Sequence, residues 1–282
     1  MYEGHLNNHF ADLDSMKVNL ITTATIEKYI TARQNDGMSL GTLRKVLVTL
    51  NQVMSYAVRH RFIDYNPVRD AERPKATGKI EIKADMKVLP PEQIKTLLEA
   101  EPDQKYKTLF LMAVMTGMRQ GELLGLKWAD IDFDKKQAHV LRTFNHGRFF
   151  TPKTKGSVRK IDLSPVVILE LMKWRLASGR NEFDLIFPNK VGKPMECQKM
   201  MIRHFIPALN AAKLPRVRFH DLRHTYASLL IEQGENIKYI QNQLGHSSPM
   251  VTLNVYAHLM KDSNQEAVCR LENAVFGSGV LS

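Results

Sequence analysis

Leu244-Gly245-His246-Ser247-Ser248-Pro249-Met250-Val251-Thr252-Leu253-Asn254-Val255-Tyr256 sets a histidine ten residues ahead of a tyrosine. Gly245 can end the preceding helix and let the His246 ring project from a tight turn. His220-Asp221-Leu222-Arg223-His224 lies shortly upstream. Further upstream, Thr116-Gly117-Met118-Arg119-Gln120-Gly121-Glu122-Leu123-Leu124-Gly125-Leu126 opens a helix with an arginine and a carboxylate three residues apart. The three segments read as a phosphate-binding cluster with a tyrosine nucleophile following it.

Around the cluster the apolar spacing is helical. It predicts helices from Asp221 to Gln233, Ile237 to Leu244 and Met250 to Leu259. A last one, from Ser263 to Phe276, carries Ala267, Val268, Leu271, Ala274 and Val275 on one face. Helical spacing also covers Glu92 to Ala100, Tyr106 to Thr116, Arg119 to Leu124, Val166 to Ala177 and Met200 to Ala212. Between Ile131 and Leu163 it gives way to short strands, with turn signals at Asp134-Lys135-Lys136, Asn145-His146-Gly147 and Lys155-Gly156-Ser157. A small antiparallel sheet inside a helical domain is expected there.

Nearer the start, Ile26 and Ile30 precede a long stripe of Leu40, Leu43, Val46, Leu47, Leu50, Val53, Met54, Ala57 and Val58, with Ser39 as its N-cap. The stripe fails at Asp64-Tyr65-Asn66-Pro67, where the residue before proline is biased out of the helical region. The stretch from Arg69 to Lys87 is polar and weakly periodic. Leu89-Pro90-Pro91-Glu92 then places a proline just inside a new helix. The expected fold is therefore mainly α with a small antiparallel β-sheet (α+β): a helical domain over 1–72, a linker over 73–88 and a second domain over 89–282.

At 282 residues, two domains are the default. A net charge of +11 favours a polyanionic partner, because lysines and arginines that neutralise phosphates supply most sequence-independent nucleic-acid affinity. The two cysteines, Cys197 and Cys269, have neither disulfide-framework nor zinc-ligand spacing and fit a reducing cytoplasm. Apolar runs such as Leu109 to Thr116 are too short to span a bilayer, and no signal-peptide core is visible at the N-terminus. A soluble, intracellular, DNA-directed protein is expected.

Phosphodiester cleavage without a metal needs cations at the non-bridging oxygens, a nucleophile in line with the leaving oxygen, and a proton for that oxygen. Arg119 and Arg223 suit the first task, since a guanidinium fork matches phosphate bidentately and stays charged. An isolated arginine at a helix start is more often solvated surface, but Glu122 can orient Arg119 from one turn away. His220 stands three residues before Arg223, on one side of a helix start, while His224 reads as packing or support for the site. Tyr256 needs a base or a cationic pocket, because a free phenol with a pKa of about 10 attacks poorly at neutral pH. Tyr226 and Tyr239 read as structural. From Arg142 to Lys160 there are six lysines or arginines and no acid, a DNA-facing bias. Arg142, Arg148, Lys155, Arg159 and Lys160 are its candidates for backbone-phosphate contact. In the long helix after Ser39, the candidates for the groove are Arg44, Asn51 and Gln52.

Arginine, lysine, His-x-x-Arg, histidine and tyrosine, in that order over about the last two hundred residues, resemble the tyrosine recombinase family of phage-integrase type. The resemblance implies a helical core-binding domain followed by a catalytic domain, with Arg119, Lys153, His220, Arg223, His246 and Tyr256 as the catalytic set. Lys153 matches the family's sheet-borne lysine, general acid toward the 5′ oxygen, with Lys155 as the competing candidate. His220 matches the position that contacts the phosphate and assists proton transfer. His246 matches the second histidine, which bonds the phosphate and helps deprotonate or position Tyr256. The resemblance further implies a 3′-phosphotyrosyl intermediate, a Holliday junction inside a homotetramer on double-stranded recombination sites, no cofactor, and accessory DNA-bending or directionality factors. The last helix is expected to dock into a neighbouring protomer or to pack in cis. The first residues begin directly in the core-binding helices, so a preceding arm-binding domain is either not used or has been cut away.

Rival readings are a Xer-type resolvase, a type IB topoisomerase-like strand transferase, and a catalytically silent DNA-binding relative. The Thr116-to-Trp128 and His220-to-Gln233 segments lie closer to phage and integrative-element integrases than to Xer resolvases. The short chain with a separate helical first domain speaks against the topoisomerase. A silent relative would lack at least one competent side chain, and all six positions are filled.

Overall fold

A computed structural model describes residues 13, 15–74, 87–151, 158–256 and 265–276. The chain divides into two compact units, Met1–Asp85 and Met86–Ser282.

In the first unit, a 3₁₀ turn, Val18–Leu20, leads into α1 (Thr23–Asn35), α2 (Leu40–Arg59) and the single turn α3 (Pro67–Asp70). Ser39 caps α2 by accepting a hydrogen bond from the Thr42 amide at 3.2 Å, a contact that satisfies one of the orphan donors at a helix start. Leu43, Val46, Leu47, Leu50, Met54 and Ala57 form its buried face, and all but Ala57 pack with Ile26, Tyr29 and Ile30 of α1 and with Val68. Val53, counted in the stripe, lies at the edge of that face and is exposed. Asn66 fastens the end of the bundle: its amide donates to Asn51 Oδ1 at 3.0 Å and Ser55 Oγ at 2.8 Å, and its carbonyl oxygen caps α3.

The second unit is built on α5 (Gln104–Thr116), which follows α4 (Pro91–Glu99) and is buried nearly all round by Leu109, Phe110, Met112, Ala113 and Val114. Helix α6 (Gln120–Leu124) comes next, then the strands β1 (Ile131–Asp132), β2 (Gln137–Val140), β3 (Thr143–Asn145), β4 (Arg148–Phe150) and β5 (Arg159–Asp162). They form two sheets where one was expected: an antiparallel sheet in the order β1-β2-β5, and a separate β3-β4 hairpin. The hairpin turns on His146 and Gly147, both at positive φ (45° and 75°), the backbone of a two-residue turn matched to strand twist. Gly121 and Gly125 let that hairpin lie directly on α6: a Cβ at Gly121 would sit 2.4 Å from Thr143 Oγ1, and one at Gly125 would sit 3.1 Å from the Phe144 amide nitrogen.

Helix α7 (Pro165–Ala177) packs on α5. The helix expected from Met200 to Ala212 is present and continuous, running as α8 (Cys197–Met200), a π turn over Met201–Phe205, and α9 (Ile206–Ala211). Pro207 gives the reason for the π turn, since its ring crowds the carbonyl four residues back and it has no amide to donate, so the turn before it widens. Helices α10 (Asp221–Glu232), α11 (Ile237–Leu244) and α12 (Pro249–Tyr256) form a second small core around Tyr226, Ala227, Ile231, Ile240, Leu244 and Tyr256. The last element is α13 (Gln265–Phe276). Among the described residues, no helix is long and apolar enough to cross a membrane.

Candidate active site

The site is organised around the C-terminal end of α11. Gly245 ends that helix at φ +65°, a conformation that costs a residue with a side chain about 1–2 kcal/mol. Helix ends leave unpaired carbonyls that cations satisfy well, and here three arginines converge on three consecutive ones. Arg159 Nε donates to the Gln243 carbonyl at 2.7 Å, Arg223 Nη2 to that of Leu244 at 2.7 Å, and Arg119 Nη2 to that of Gly245 at 3.3 Å. A Cβ on Gly245 would lie 2.9 Å from Arg159 Cδ, so bare backbone is needed for the arginines to close in.

Arg223 is anchored at its other end by Gly117, whose carbonyl accepts from Nη1 at 2.6 Å. Gly117 ends α5 at φ +60°, and a Cβ there would meet the Tyr226 ring at 2.5 Å. The Arg223 side chain is buried. Burial first, then the charge of Arg119, press its pKa down to about 9, so it stays charged at neutral pH but costly until an anion arrives.

Arg119 stands just before α6. Its amide donates to Glu122 Oε2 at 2.8 Å and its guanidinium to Oε1 at 2.9 Å. Its side chain is 42% exposed, so it faces outward where Arg223 does not. Glu122, buried, also accepts two hydrogen bonds from Arg159, at 3.0 and 2.8 Å. Burial alone would raise its carboxyl, but the Arg159 hydrogen bonds and the charges of Arg159 and Arg119 outweigh it and hold Glu122 below the ordinary range.

Three histidines line the approach. His220 precedes α10 with part of its side chain in solvent, and desolvation of the part that faces the protein, then the charge of Arg223, hold its imidazole below the usual value. The ring of His224 stands edge-on to it at 5.0 Å. His246 bonds through Nδ1 to Thr252 Oγ1 at 2.8 Å. Burial and the charges of Arg223, Arg119 and Arg159 drive its pKa down to about 4. It is therefore neutral at neutral pH.

Tyr256, at the end of α12, is 1% exposed, and its hydroxyl meets His224 Nδ1 at 2.6 Å. Burial pushes the phenol up to about 12, against the partial relief of Arg223. The histidine that holds the tyrosine is thus His224, which the sequence had given only packing or support. Nothing local marks the contact, because the two residues are 32 apart in the chain.

The structure also redistributes the basic stretch. Arg159, expected on a DNA phosphate, has only 6% of its side chain exposed and is committed to Glu122 and the α11 terminus. Arg142 pairs with buried Asp130 instead of facing outward. Arg148 and Lys160 are exposed on β4 and β5, while Lys153 and Lys155 fall outside the described residues. In the first unit, Arg44 and Gln52 are exposed on α2, and Asn51 is tied to Asn66.

The Phage integrase family matches residues 87–263. The chain is 31% identical to a XerC-like tyrosine recombinase of Caldanaerobacter subterraneus subsp. tengcongensis, a match covering 95% of this chain and 75% of that protein. It is 28% identical to the ICEBs1 integrase of Bacillus subtilis, over 95% and 74%. Among solved structures, the Tn1549 transposon integrase in complex with a circular intermediate DNA superposes with a TM-score of 0.77 at 22% identity, covering 96% of this chain and 91% of that one. A lambda integrase dimer bound to a COC′ core site superposes with a TM-score of 0.65 at 21% identity, over 89% and 88%. With a family match across more than half its length and a relative of that identity along nearly all of it, the chain belongs to the phage integrase family and is a tyrosine-type DNA recombinase.

Proposed function

We propose that the chain cuts and rejoins double-stranded DNA at specific sites by attack of Tyr256 Oη on a phosphodiester. The Oη–P bond forms and the P–O5′ bond breaks, leaving a 3′-phosphotyrosyl link that keeps the energy of the phosphodiester. The 5′ hydroxyl of a partner strand then reverses the step, and two rounds exchange strands through a Holliday junction. Arg119 and Arg223 neutralise the non-bridging oxygens. His220 and His246 donate hydrogen bonds to them: with the Thr252 hydroxyl donating to His246 Nδ1, the proton of that neutral ring sits on Nε2. Lys153 supplies the proton to O5′. Glu122 and Arg159 act through the arginines as positioning residues.

The observation that carries this reading is the convergence of Arg119 and Arg223 on the carbonyls of Gly245 and Leu244, just before His246, with the Leu244 side chain in the core that holds Tyr256. Preorganised cations of this kind are commonly the largest contribution to stabilising a charged transition state.

The names of the ICEBs1 integrase and the Tn1549 transposon integrase support integration or excision of a mobile element, while the XerC-like relative makes resolution the runner-up. The first unit serves as the core-type DNA-binding domain, 1–72, joined through 73–88 to the catalytic domain, 89–282. Assembly is a homotetramer on DNA, aided by accessory bending or directionality proteins, in the cytoplasm with the nucleoid. Helix α13 supports assembly: Val268, Leu271 and Val275, three and four residues apart on one face, are 57%, 65% and 62% exposed, which suits docking on a neighbouring protomer.

The test is a nicked suicide duplex carrying the junction sequence that flanks the gene, incubated in EDTA with wild type and with Tyr256→Phe. A protease-sensitive protein–DNA adduct with the wild type alone is expected. Duplex binding with no adduct would favour the silent relative.

A further inference from the structure

Among the described residues, the Tyr256 hydroxyl has one hydrogen-bond partner, His224 Nδ1, at 2.6 Å. The Nδ1 of His246 is occupied instead by Thr252. We propose that His224 is the group that takes the proton of Tyr256 as its oxygen attacks phosphorus, an inference that rests on Tyr256 being the nucleophile.

The geometry is already that of a proton transfer, since a general base must sit within about 2.6–3.2 Å of the proton it removes. The two partners are held from different helices. His224 follows Arg223 on α10, which is pinned at both ends of its guanidinium, and Tyr256 closes α12 inside a small apolar core. Tyr256 cannot drift without disturbing that packing.

The charges facing His224 fix its resting state. His220, Asp221, Arg218 and Arg223 lie on or beside its own helix, with Tyr256 on α12 and His246 ahead of it. Burial and the cations among them hold the imidazole below its usual value, against Asp221, so it is neutral at neutral pH. The phenol is neutral as well. In the proposed step the neutral ring carries its proton on Nε2, and the hydroxyl donates to Nδ1.

On attack, the Oη–P bond forms, the P–O5′ bond breaks, and the phenolic proton passes to Nδ1, giving an imidazolium. The leaving oxygen is protonated separately, by Lys153 in the reading above. In the rejoining step the imidazolium returns its proton to the departing phenolate. The environment that makes His224 a modest base makes its protonated form a good acid, so one residue serves both directions.

The experiment uses the full chain and a suicide duplex in which the scissile 5′ oxygen is replaced by bridging sulfur, a leaving group that needs no proton. His224→Asn keeps an oxygen that accepts the Tyr256 hydroxyl but cannot take its proton; His224→Ala keeps neither. Gel shift on the same duplex reports that each variant is folded. The expected result is adduct formation at least about a hundredfold slower in both variants, within the usual range for a lost general base. The sulfur substrate would not restore it, the His224→Asn rate would climb about tenfold per pH unit between pH 7 and 9 while wild type stays flat, and added imidazole would rescue His224→Ala. A His224→Asn rate within threefold of wild type, with an unchanged pH profile, would overturn the proposal and leave His224 a positioning residue. Adduct formation by Tyr256→Phe would instead overturn the assignment of the nucleophile.

Discussion

The Arg159 guanidinium and the Glu122 carboxylate, 6% and 7% exposed, face each other through two hydrogen bonds of 3.0 and 2.8 Å. They are 37 residues apart, one on β5 and the other on α6. Through this pair the sheet and the helix that opens with Arg119 become a single support. Removing one partner strands a buried charge, which costs about 3–5 kcal/mol. Glu122→Leu should therefore lower stability by that order in urea unfolding, and Arg159→Met should do the same. The double variant Glu122→Leu/Arg159→Met should recover much of the loss while remaining inactive, since Arg119 loses its anchor.

The pH dependence of that pair has a definite sign. The Glu122 carboxyl is depressed in the folded chain, so its contribution is complete above the unfolded glutamate value, about 4.3, and is lost as pH falls through the folded one. Stability measured from pH 6 down to pH 3 should fall less steeply in Glu122→Gln than in wild type. Equal slopes would mean that Glu122 does not couple folding to protons.

His246 works in a higher window. Its folded pKa of about 4 lies below the unfolded value of about 6.5. Between those limits the unfolded chain binds a proton that the folded chain refuses. Stability due to this group is complete above pH 6.5, declines toward pH 4 and then levels. His246→Gln removes the decline and keeps a hydrogen-bond donor. Its urea midpoint should vary less than that of wild type between pH 6.5 and 4, with cleavage at neutral pH reduced but present.

Gly245→Ala separates backbone from chemistry. The methyl group would be held at φ +65° and 2.9 Å from Arg159 Cδ, and that side chain cannot swing away while Glu122 holds it. A stability loss of about 1–2 kcal/mol is expected from the backbone alone. Duplex binding by gel shift should survive, while adduct formation falls at least tenfold because Arg119 and Arg223 are fastened to the displaced turn. Normal cleavage in this variant would show that the arginines do not depend on α11 for their aim.

What could be read without coordinates was what the chain decides locally. The Ser39 cap, the Gly245 helix stop and the Asn145-His146-Gly147 turn each depend on a few adjacent residues, and each is where the sequence put it. The π turn before Pro207 is also local, yet regular apolar spacing from Met200 onward concealed it. The burial of Arg159 and the contact of His224 with Tyr256 were not legible for a different reason. An arginine in a basic stretch looks solvated until the carboxylate that captures it is known, and a histidine beside the more conspicuous His220 looks structural until Tyr256 arrives from another helix. In both cases the partner lies more than thirty residues away, where spacing carries no information.

The apolar face of α13 gives the last prediction. Leu271 and Val275 are 65% and 62% exposed within the chain, so replacing both with aspartate removes little packing. Substitutions at such surface positions usually change stability by no more than about 0.5 kcal/mol. If the face docks on a neighbouring protomer, the same aspartates would enter an apolar interface as unpaired charges, at a cost far larger than their effect on the monomer. Leu271→Asp/Val275→Asp should therefore melt within about two degrees of wild type and bind a single half-site normally. Its complexes on a full site, sized by native gel or light scattering, should stop short of the tetramer. Full assembly by this variant would mean that α13 contributes nothing between protomers, and a collapse in melting temperature would mean that it packs in cis.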